Sequence, residues 1–357
     1  MHLSREALYD RVLGSLVTAG LGDAMGAATE QWRTGEIVQA HGGLLRRLVR
    51  PPADTFSAGN EAGQVTDDTS QAYYLAQALI ETDGAMTPEI WKQALIRWAE
   101  ESPHRTAMGP TTRLMVEAWQ RGEDTARIAT VGRSTRKLNS FGTTNGAAMR
   151  VAPVGLVRPG DVEGACQTAL LTCLPTHDTQ IAISGACAIA AGVADALQPQ
   201  ADVFSVARAC LAGARRGEEL GKERARWVPG PSVPLRIELA IELALRAQSM
   251  EEALALLEGY IGNGVAMADS APTAIGLFVF AGGDPLESIV GGTNIGSDTD
   301  TIAAMSGALA GALRGFQAVP PDLWVTLREA NPEFDLESLA QGLTDIAWTR
   351  VEAGRQE

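Results

Sequence analysis

A chain of 357 residues, 45% of them hydrophobic and only 5% aromatic, is long enough for one large domain or two small ones and has ample apolar surface to bury as a core. Acidic residues outnumber basic ones by 43 to 29, and the nearest approach to a basic run is Arg46-Arg47-Leu48-Val49-Arg50, so the surface field repels a phosphate backbone and argues against a nucleic-acid partner. Cys166, Cys173, Cys187 and Cys210 sit in apolar surroundings without C-x-x-C spacing, which disfavours a zinc knuckle or a disulfide framework and marks them as small core residues.

The N-terminal stretch carries Arg5, Glu6, Asp10 and Arg11 and lacks the uninterrupted apolar segment of a secretory signal. Apolar positions repeat at helical spacing over 4–20 (Leu8, Val12, Leu13, Leu16, Val17), and the same 3.6-residue period predicts helices at 70–82, 90–99, 161–173, 178–197, 202–216, 234–247, 251–258 and 301–314. Alternating strand-like runs are nearly absent. Pro51-Pro52, Pro103, Pro110, Pro175, Pro229-Gly230-Pro231 and Pro320-Pro321 mark connections, and no linker separates two halves. The expectation is an all-α, compact multi-helix bundle forming one domain over 1–357.

Gly, Ala and Ser recur inside these helices, as in Gly14-Ser15, Gly185-Ala186 and Ser306-Gly307-Ala308-Leu309-Ala310-Gly311, which predicts close backbone packing. Trp32, Trp91, Trp98 and Trp119 read as core or lid material. The longest apolar run, Ile181 to Ala194, falls short of the roughly 20 residues of a membrane span, so a cytoplasmic protein without membrane contact is expected, acting as a monomer. Residues 217–235, with Glu218, Glu219, Lys222, Glu223, Arg224 and Arg226, fit either a solvated helix and loop or a segment overhanging a site.

Two acidic clusters stand directly before apolar helical segments: Val65-Thr66-Asp67-Asp68-Thr69-Ser70-Gln71 and Gly296-Ser297-Asp298-Thr299-Asp300-Thr301. Helix capping explains one oxygen acceptor at each helix start. It does not explain two carboxylates with neighbouring hydroxyls at each, because crowded carboxylates repel unless a cation compensates. Hard oxygen donors without a nearby Cys or paired His suit Mg2+ or Mn2+ rather than zinc. A third acidic element is Gly22-Asp23-Ala24-Met25-Gly26-Ala27-Ala28-Thr29-Glu30, whose two glycines are expected to keep a turn open and let Glu30 reach a shared site.

The ordered motifs Gly-Asp-x-x-Gly-x-x-x-Glu at 22–30, Thr-Asp-Asp at 66–68, Asn145-Gly146-Ala147-Ala148-Met149-Arg150, His177 and Asp-Thr-Asp-Thr at 298–301 resemble those of the ADP-ribosylglycohydrolase family. That family includes the hydrolase acting on dinitrogen reductase, the mammalian ADP-ribosyl-acceptor hydrolases and the J-type crystallins. The resemblance runs from about residue 10 to about residue 315. It implies that Thr66, Asp67, Asp68, Asp298, Asp300 and Thr301 hold two Mg2+ or Mn2+ ions, with Asp300 bridging them and Asp67 also facing substrate. Two such ions orient ribose hydroxyls and lower the pKa of a water that attacks the anomeric carbon.

By the same resemblance, Glu30 and Asp300 are the catalytic carboxylates, Glu30 acting as general base or orienting substrate, and Asp23 is a hydrogen-bond partner of the ligands rather than a ligand. The loop Ser140-Phe141-Gly142-Thr143-Thr144-Asn145-Gly146 matches the family's substrate loop, so Gly142, Thr143, Thr144, Asn145 and Gly146 are expected to bind substrate, their backbone N–H groups cradling a pyrophosphate. His177 matches a position near the same phosphates, although a single His is by itself more often a satisfied core residue. Arg150 reads as a structural cation pairing with an acidic helix end. Several relatives have an additional glycine where this chain has Thr143-Thr144, a departure that bears on the diphosphate and not on the metal chemistry. The implied activity is hydrolysis of the N- or O-glycosidic bond of an ADP-ribosylated protein or a free ADP-ribosyl small molecule. The alternatives are another ribosyl or nucleoside-like substrate at the same centre and a non-catalytic, crystallin-like role.

Overall fold

The computed structural model describes residues 3–353. Sixteen α-helices occur among them: α1 (Arg5–Gly26), α2 (Thr34–His41), α3 (Asp67–Glu81), α4 (Pro88–Glu101), α5 (Pro110–Gln120), α6 (Ala152–Leu156), α7 (Val162–Cys173), α8 (Gln180–Ala196), α9 (Val203–Arg224), α10 (Val233–Arg246), α11 (Met250–Tyr260), α12 (Met267–Phe280), α13 (Pro285–Asn294), α14 (Thr299–Arg314), α15 (Pro321–Ala330) and α16 (Leu336–Ala353). β-Structure among the described residues is confined to isolated bridges at Thr130–Lys137, Thr144–Ala266 and Thr179–Arg226. The all-α expectation is met. No helix among these residues is long and apolar enough to cross a membrane.

Local chemistry sets the helix starts. Ser4, Thr87, Thr179, Ser232 and Ser249 each accept a hydrogen bond from a backbone N–H in the first turn of the helix they precede, satisfying one of the orphan donors there. Pro88, Pro110, Pro285 and Pro321 are first residues of α4, α5, α13 and α15. Pro110 and Pro321, expected in connections, are therefore helix starts, because the missing N–H is not needed there and φ is already helical. Pro272, by contrast, lies inside α12, where it removes the donor that Ala268 O would receive. Arg236 of α10 replaces it, donating from Nη1 to Ala268 O at 3.0 Å.

The core is organised around two closely approaching antiparallel helix pairs. In the first, α1 crosses α14 with no room for side chains. A Cβ on Gly311 would stand 2.1 Å from Gly14 O, and one on Gly22 would stand 2.4 Å from Ala303 O. Gly22 and Gly26, expected to hold a turn open, instead lie within α1; their task is backbone approach, and the turn begins only after Gly26. In the second pair, α8 is buried along nearly its whole length and packs on α9, whose Gly217 and Gly221 meet Cys187 and Gln180. All four cysteines are buried and free.

Candidate metal centre and substrate loop

Three chain segments converge: the end of α1 with its following turn, the first turn of α3 and the first turn of α14. At α3, Thr66 is the capping residue, its Oγ1 accepting from Asp68 N at 3.3 Å. Asp23, fully buried on α1, accepts from Thr66 N through both oxygens (3.1 and 3.0 Å) and from Thr69 N (3.0 Å). These two residues meet the capping demand of the helix, so the carboxylates of Asp67 and Asp68 remain for other chemistry. At α14 the capping position is Asp298, whose side chain makes no capping bond.

The turn that carries Glu30 is held against the turn that carries Asp298. Gln31 and Ser297, neither of them glycine, both have left-handed backbones, with φ of 68° and 61°. Gln31 N donates to Ser297 O and Ser297 N donates to Trp32 O, each at 2.8 Å. Left-handed conformations of this kind cost free energy and persist only where the surroundings enforce them. Beneath this turn Ala28, Ile37 and Leu45 form a small apolar cluster against which Trp32 packs. Thr299 is directed away from the carboxylates, donating from Oγ1 to Gly26 O at 2.8 Å.

Glu30, Asp298 and Asp300 each bring a carboxylate oxygen to within 4.8 Å of the others, and all three are buried. Asp68 lies beside them, and its Oδ2 is buried without a hydrogen-bond partner. Thr301 N donates to Asp300 Oδ1 at 2.8 Å. Burial and mutual repulsion push every one of these acids up. Glu30 rises to about 8, through desolvation and the charges of Asp298, Asp67 and Asp23. Asp67 rises to about 7, by desolvation first and Asp23 second, and Asp298 to about 6 by desolvation. Asp68 and Asp300 lie well above the ordinary carboxylate range for the same reasons. A buried, oxygen-only donor set with surplus negative charge and an orphaned carboxylate oxygen fits a hard divalent cation. Glu30, expected as a base beside the metals, stands in the tightest trio itself.

The loop 140–146, expected to bind substrate, abuts this centre through Asn145, whose buried Nδ2 donates to Asp298 Oδ2 and to Ser270 Oγ. Asn145 thus orients an acid of the centre, and its backbone N–H is also engaged, donating to Val265 O at 3.0 Å. The N–H groups of Gly142, Thr143 and Thr144 have no backbone partner among the described residues. The hydroxyl of Thr143 donates to Ser140 O. Gly142 has a left-handed φ of 76°, and a Cβ on Gly146 would stand 3.0 Å from the His177 ring.

The His177 ring is 1% exposed, with Nδ1 hydrogen-bonded to Thr176 Oγ1 (2.8 Å) and Nε2 to Thr144 Oγ1 (3.0 Å). Burial and the nearby Arg150 hold it well below the usual imidazole value. Both ring nitrogens are thus engaged within the protein, and the ring braces the loop at Thr144. Arg150 is not paired directly with an acid. Its Nη1 donates to Gln71 Oε1 (2.6 Å), and Gln71 Nε2 donates to Asp67 Oδ2 (2.8 Å).

Sequence reasoning missed Gln71, which sits one helical turn from Asp67 and was findable from that i, i+4 spacing. It also missed the clamp at Arg226. The 217–235 segment does reach the site: α9 ends at Arg224, and Arg226 then donates from Nη2 to Phe141 O and pairs with Asp178 at 2.8 Å. No local signal marks that contact. Trp91 and Trp98 are core residues as expected.

Residues 4–353 match the family described as ADP-ribosylglycohydrolase. The uncharacterized protein YegU of Escherichia coli (strain K12) is 33% identical over 339 residues, which cover 94% of this chain and 96% of that protein. ADP-ribosylhydrolase ARH3 of Homo sapiens is 28% identical over 359 residues, covering 93% and 92% respectively. A solved structure described as an ADP-ribosylglycohydrolase-related protein complex shares the fold, with a TM-score of 0.64 at 23% identity over 96% of this chain and 99% of that one. The chain belongs to the ADP-ribosylglycohydrolase family, whose members are hydrolases that cleave ADP-ribose glycosidic bonds.

Proposed function

We propose that this enzyme is a divalent-metal-dependent hydrolase that cleaves the N- or O-glycosidic bond at the anomeric carbon of ADP-ribosylated proteins or free ADP-ribosyl compounds, releasing ADP-ribose. The observation that carries the proposal is the convergence of Glu30, Asp298 and Asp300 beside the unpartnered Asp68 oxygen, next to a loop with consecutive unpaired N–H groups at Gly142, Thr143 and Thr144.

In this reading Thr66, Asp67, Asp68, Asp298, Asp300 and Thr301 hold two Mg2+ or Mn2+ ions. Asp300 would be shared between them, as the family resemblance implies, and its carboxylate lies among Glu30, Asp68, Asp298 and Asp23. When bound, such ions orient vicinal hydroxyls and lower the pKa of water. Glu30 would take the proton of the attacking water on a carboxylate oxygen, a role open to it once bound cations have displaced the proton that it otherwise holds near neutral pH. The unpaired loop amides bind the diphosphate by hydrogen bonding, which needs no basic side chain. Asn145 and Asp23 keep Asp298 and the first turn of α3 oriented while the bond breaks.

The test is incubation with arginine-linked and serine-linked ADP-ribosylated proteins and with free ADP-ribosyl compounds, with and without Mg2+ or Mn2+. Metal-dependent release of ADP-ribose from one of them supports the proposal and names the linkage. Turnover only of ribosyl or nucleoside-like compounds lacking the diphosphate would move the substrate to that class, consistent with the Thr143-Thr144 departure.

A further inference from the structure

The acidic centre and the substrate loop are joined by one buried chain of hydrogen bonds. It runs from Asp67 Oδ2 to Gln71 Nε2 (2.8 Å), from Gln71 Oε1 to Arg150 Nη1 (2.6 Å), from Arg150 Nη2 to Thr176 Oγ1 (2.9 Å), from Thr176 Oγ1 to His177 Nδ1 (2.8 Å), and from His177 Nε2 to Thr144 Oγ1 (3.0 Å). Gln71, Arg150, Thr176 and His177 are all buried. We infer that Arg150 is a positioning residue that ties the orientation of Asp67 in the metal centre to that of Thr144 in the substrate loop. The inference rests on the proposed ADP-ribosyl hydrolase reading of this site.

Three features argue for this role over simple core filling. Arg150 is wholly buried, yet it forms no ion pair within salt-bridge distance, and its Nε has no partner. A bare guanidinium in a core is costly, and an apolar side chain of similar volume would fill the space at less cost. Its face is covered by the Trp91 ring, 5.0 Å from the guanidinium carbon, which leaves the planar fork free to point its two Nη groups at two fixed partners. The chain also has only one orientation at its acidic end. A guanidinium only donates, so Gln71 must turn its oxygen to Arg150 and its amide nitrogen to Asp67. A rotation of Asp67 toward a cation is therefore felt at Arg150 and, through Thr176 and His177, at the Thr144 hydroxyl.

The test uses the full-length chain in three variants, Gln71→Leu, Thr176→Val and Arg150→Lys, with calorimetric titration of Mn2+ and then of ADP-ribose at saturating Mn2+, and thermal melts as a check on folding. Gln71→Leu is expected to weaken Mn2+ binding about tenfold and Thr176→Val to weaken ADP-ribose binding about tenfold, each carrying a smaller loss of about threefold to the other ligand through Arg150. Arg150→Lys, which cannot span both partners, is expected to weaken both. A folded Arg150→Lys that keeps both affinities, or Gln71→Leu and Thr176→Val that alter only the melting temperature, would overturn the inference. If Arg150→Lys does not fold, the loss transmitted to the remote ligand in the other two variants decides it, and a loss confined to the nearer ligand in both would overturn the inference. A parent protein that binds Mn2+ but not ADP-ribose would sink the ADP-ribosyl reading instead, and a Gln71→Leu variant with unaltered Mn2+ binding would then still sink the coupling at its acidic end.

Discussion

Gly26 and Asp300 are in direct backbone contact: a Cβ on residue 26 would stand 2.5 Å from both the nitrogen and the Cα of Asp300. Backbone has no rotamer with which to yield, so Gly26→Ala must push α1 and α14 apart at the acidic centre. The expected result is a loss of about 1–3 kcal/mol of stability from overpacking, measured by urea unfolding, together with weaker Mn2+ binding. An unchanged cation affinity would show that Asp300 keeps its place without this contact.

Protonation of the centre has a definite sign. Glu30, Asp67 and Asp298, at about 8, 7 and 6, all lie above the ordinary carboxylate values near about 4. The folded, cation-free protein therefore keeps protons that the unfolded chain has already released. The contribution of these groups to stability is complete below about pH 4 and is lost progressively as pH rises from there through their folded values of about 6 to 8. A divalent cation binds the deprotonated acids, so its stabilisation grows over the same interval. Melting temperatures at pH 5.5 and 8.5, with chelator and with Mn2+, should show a gap that widens with pH. A gap independent of pH would remove the cation from these carboxylates.

Asp300→Ala should lower turnover to below about one hundredth of the parent rate, because it removes the acid assigned to both ions. The chelated variant should melt no lower than the parent at pH 8.5, since a buried carboxyl whose ionisation is opposed by burial and its acidic neighbours has gone. Full metal-dependent activity in this variant would overturn the two-ion assignment.

Asn145→Leu leaves Asp298 without its side-chain donor while keeping a side chain of similar size. Outer partners of metal-binding acids contribute about 10–100-fold to affinity, and a loss in that range is expected by calorimetry. Unchanged binding would mean that Asn145 serves substrate alone.

Arg226→Ala releases the Phe141 carbonyl and the Asp178 carboxylate, freeing the loop at its outer edge. KM for an ADP-ribosyl substrate should rise about tenfold, the equivalent of one charge-assisted hydrogen bond of about 1.5 kcal/mol, with kcat little altered. A fall in kcat at unchanged KM would place the effect in the centre instead.

The acidic clusters were legible because each gathers its ligand types within four residues at the start of a helix, and because caps need fewer oxygens than are present. Seven of the nine periodic helices were legible because each has a polar face, and α8 and α14, buried on nearly every side, because their apolar runs are long. α12 was not: it is buried on nearly every side and contains Pro272, so neither periodicity nor composition marks it as helical. α13, with Gly291 and Gly292 against its neighbours, hides in the same way. The glycines at 22 and 26 were read as turn formers because sequence alone does not show that a second helix lies against them. Arg150 and Arg226 depend on partners far along the chain, and His177 on an enclosure that no neighbour in sequence reveals.

The hydrogen bond between Thr29 and Thr299 joins residues 270 positions apart, and it bears on the order of events during synthesis. Asp23, Glu30, Asp67 and Asp68 leave the ribosome long before Asp298 and Asp300, and the glycine-lined face of α1 has no partner until α14 follows. A cation therefore cannot seed this fold from its N-terminal side; it seals a nearly finished one. Chains interrupted before residue 298 carry four of these six acids but also an unmatched helix face, which makes them ready substrates for chaperones and proteases.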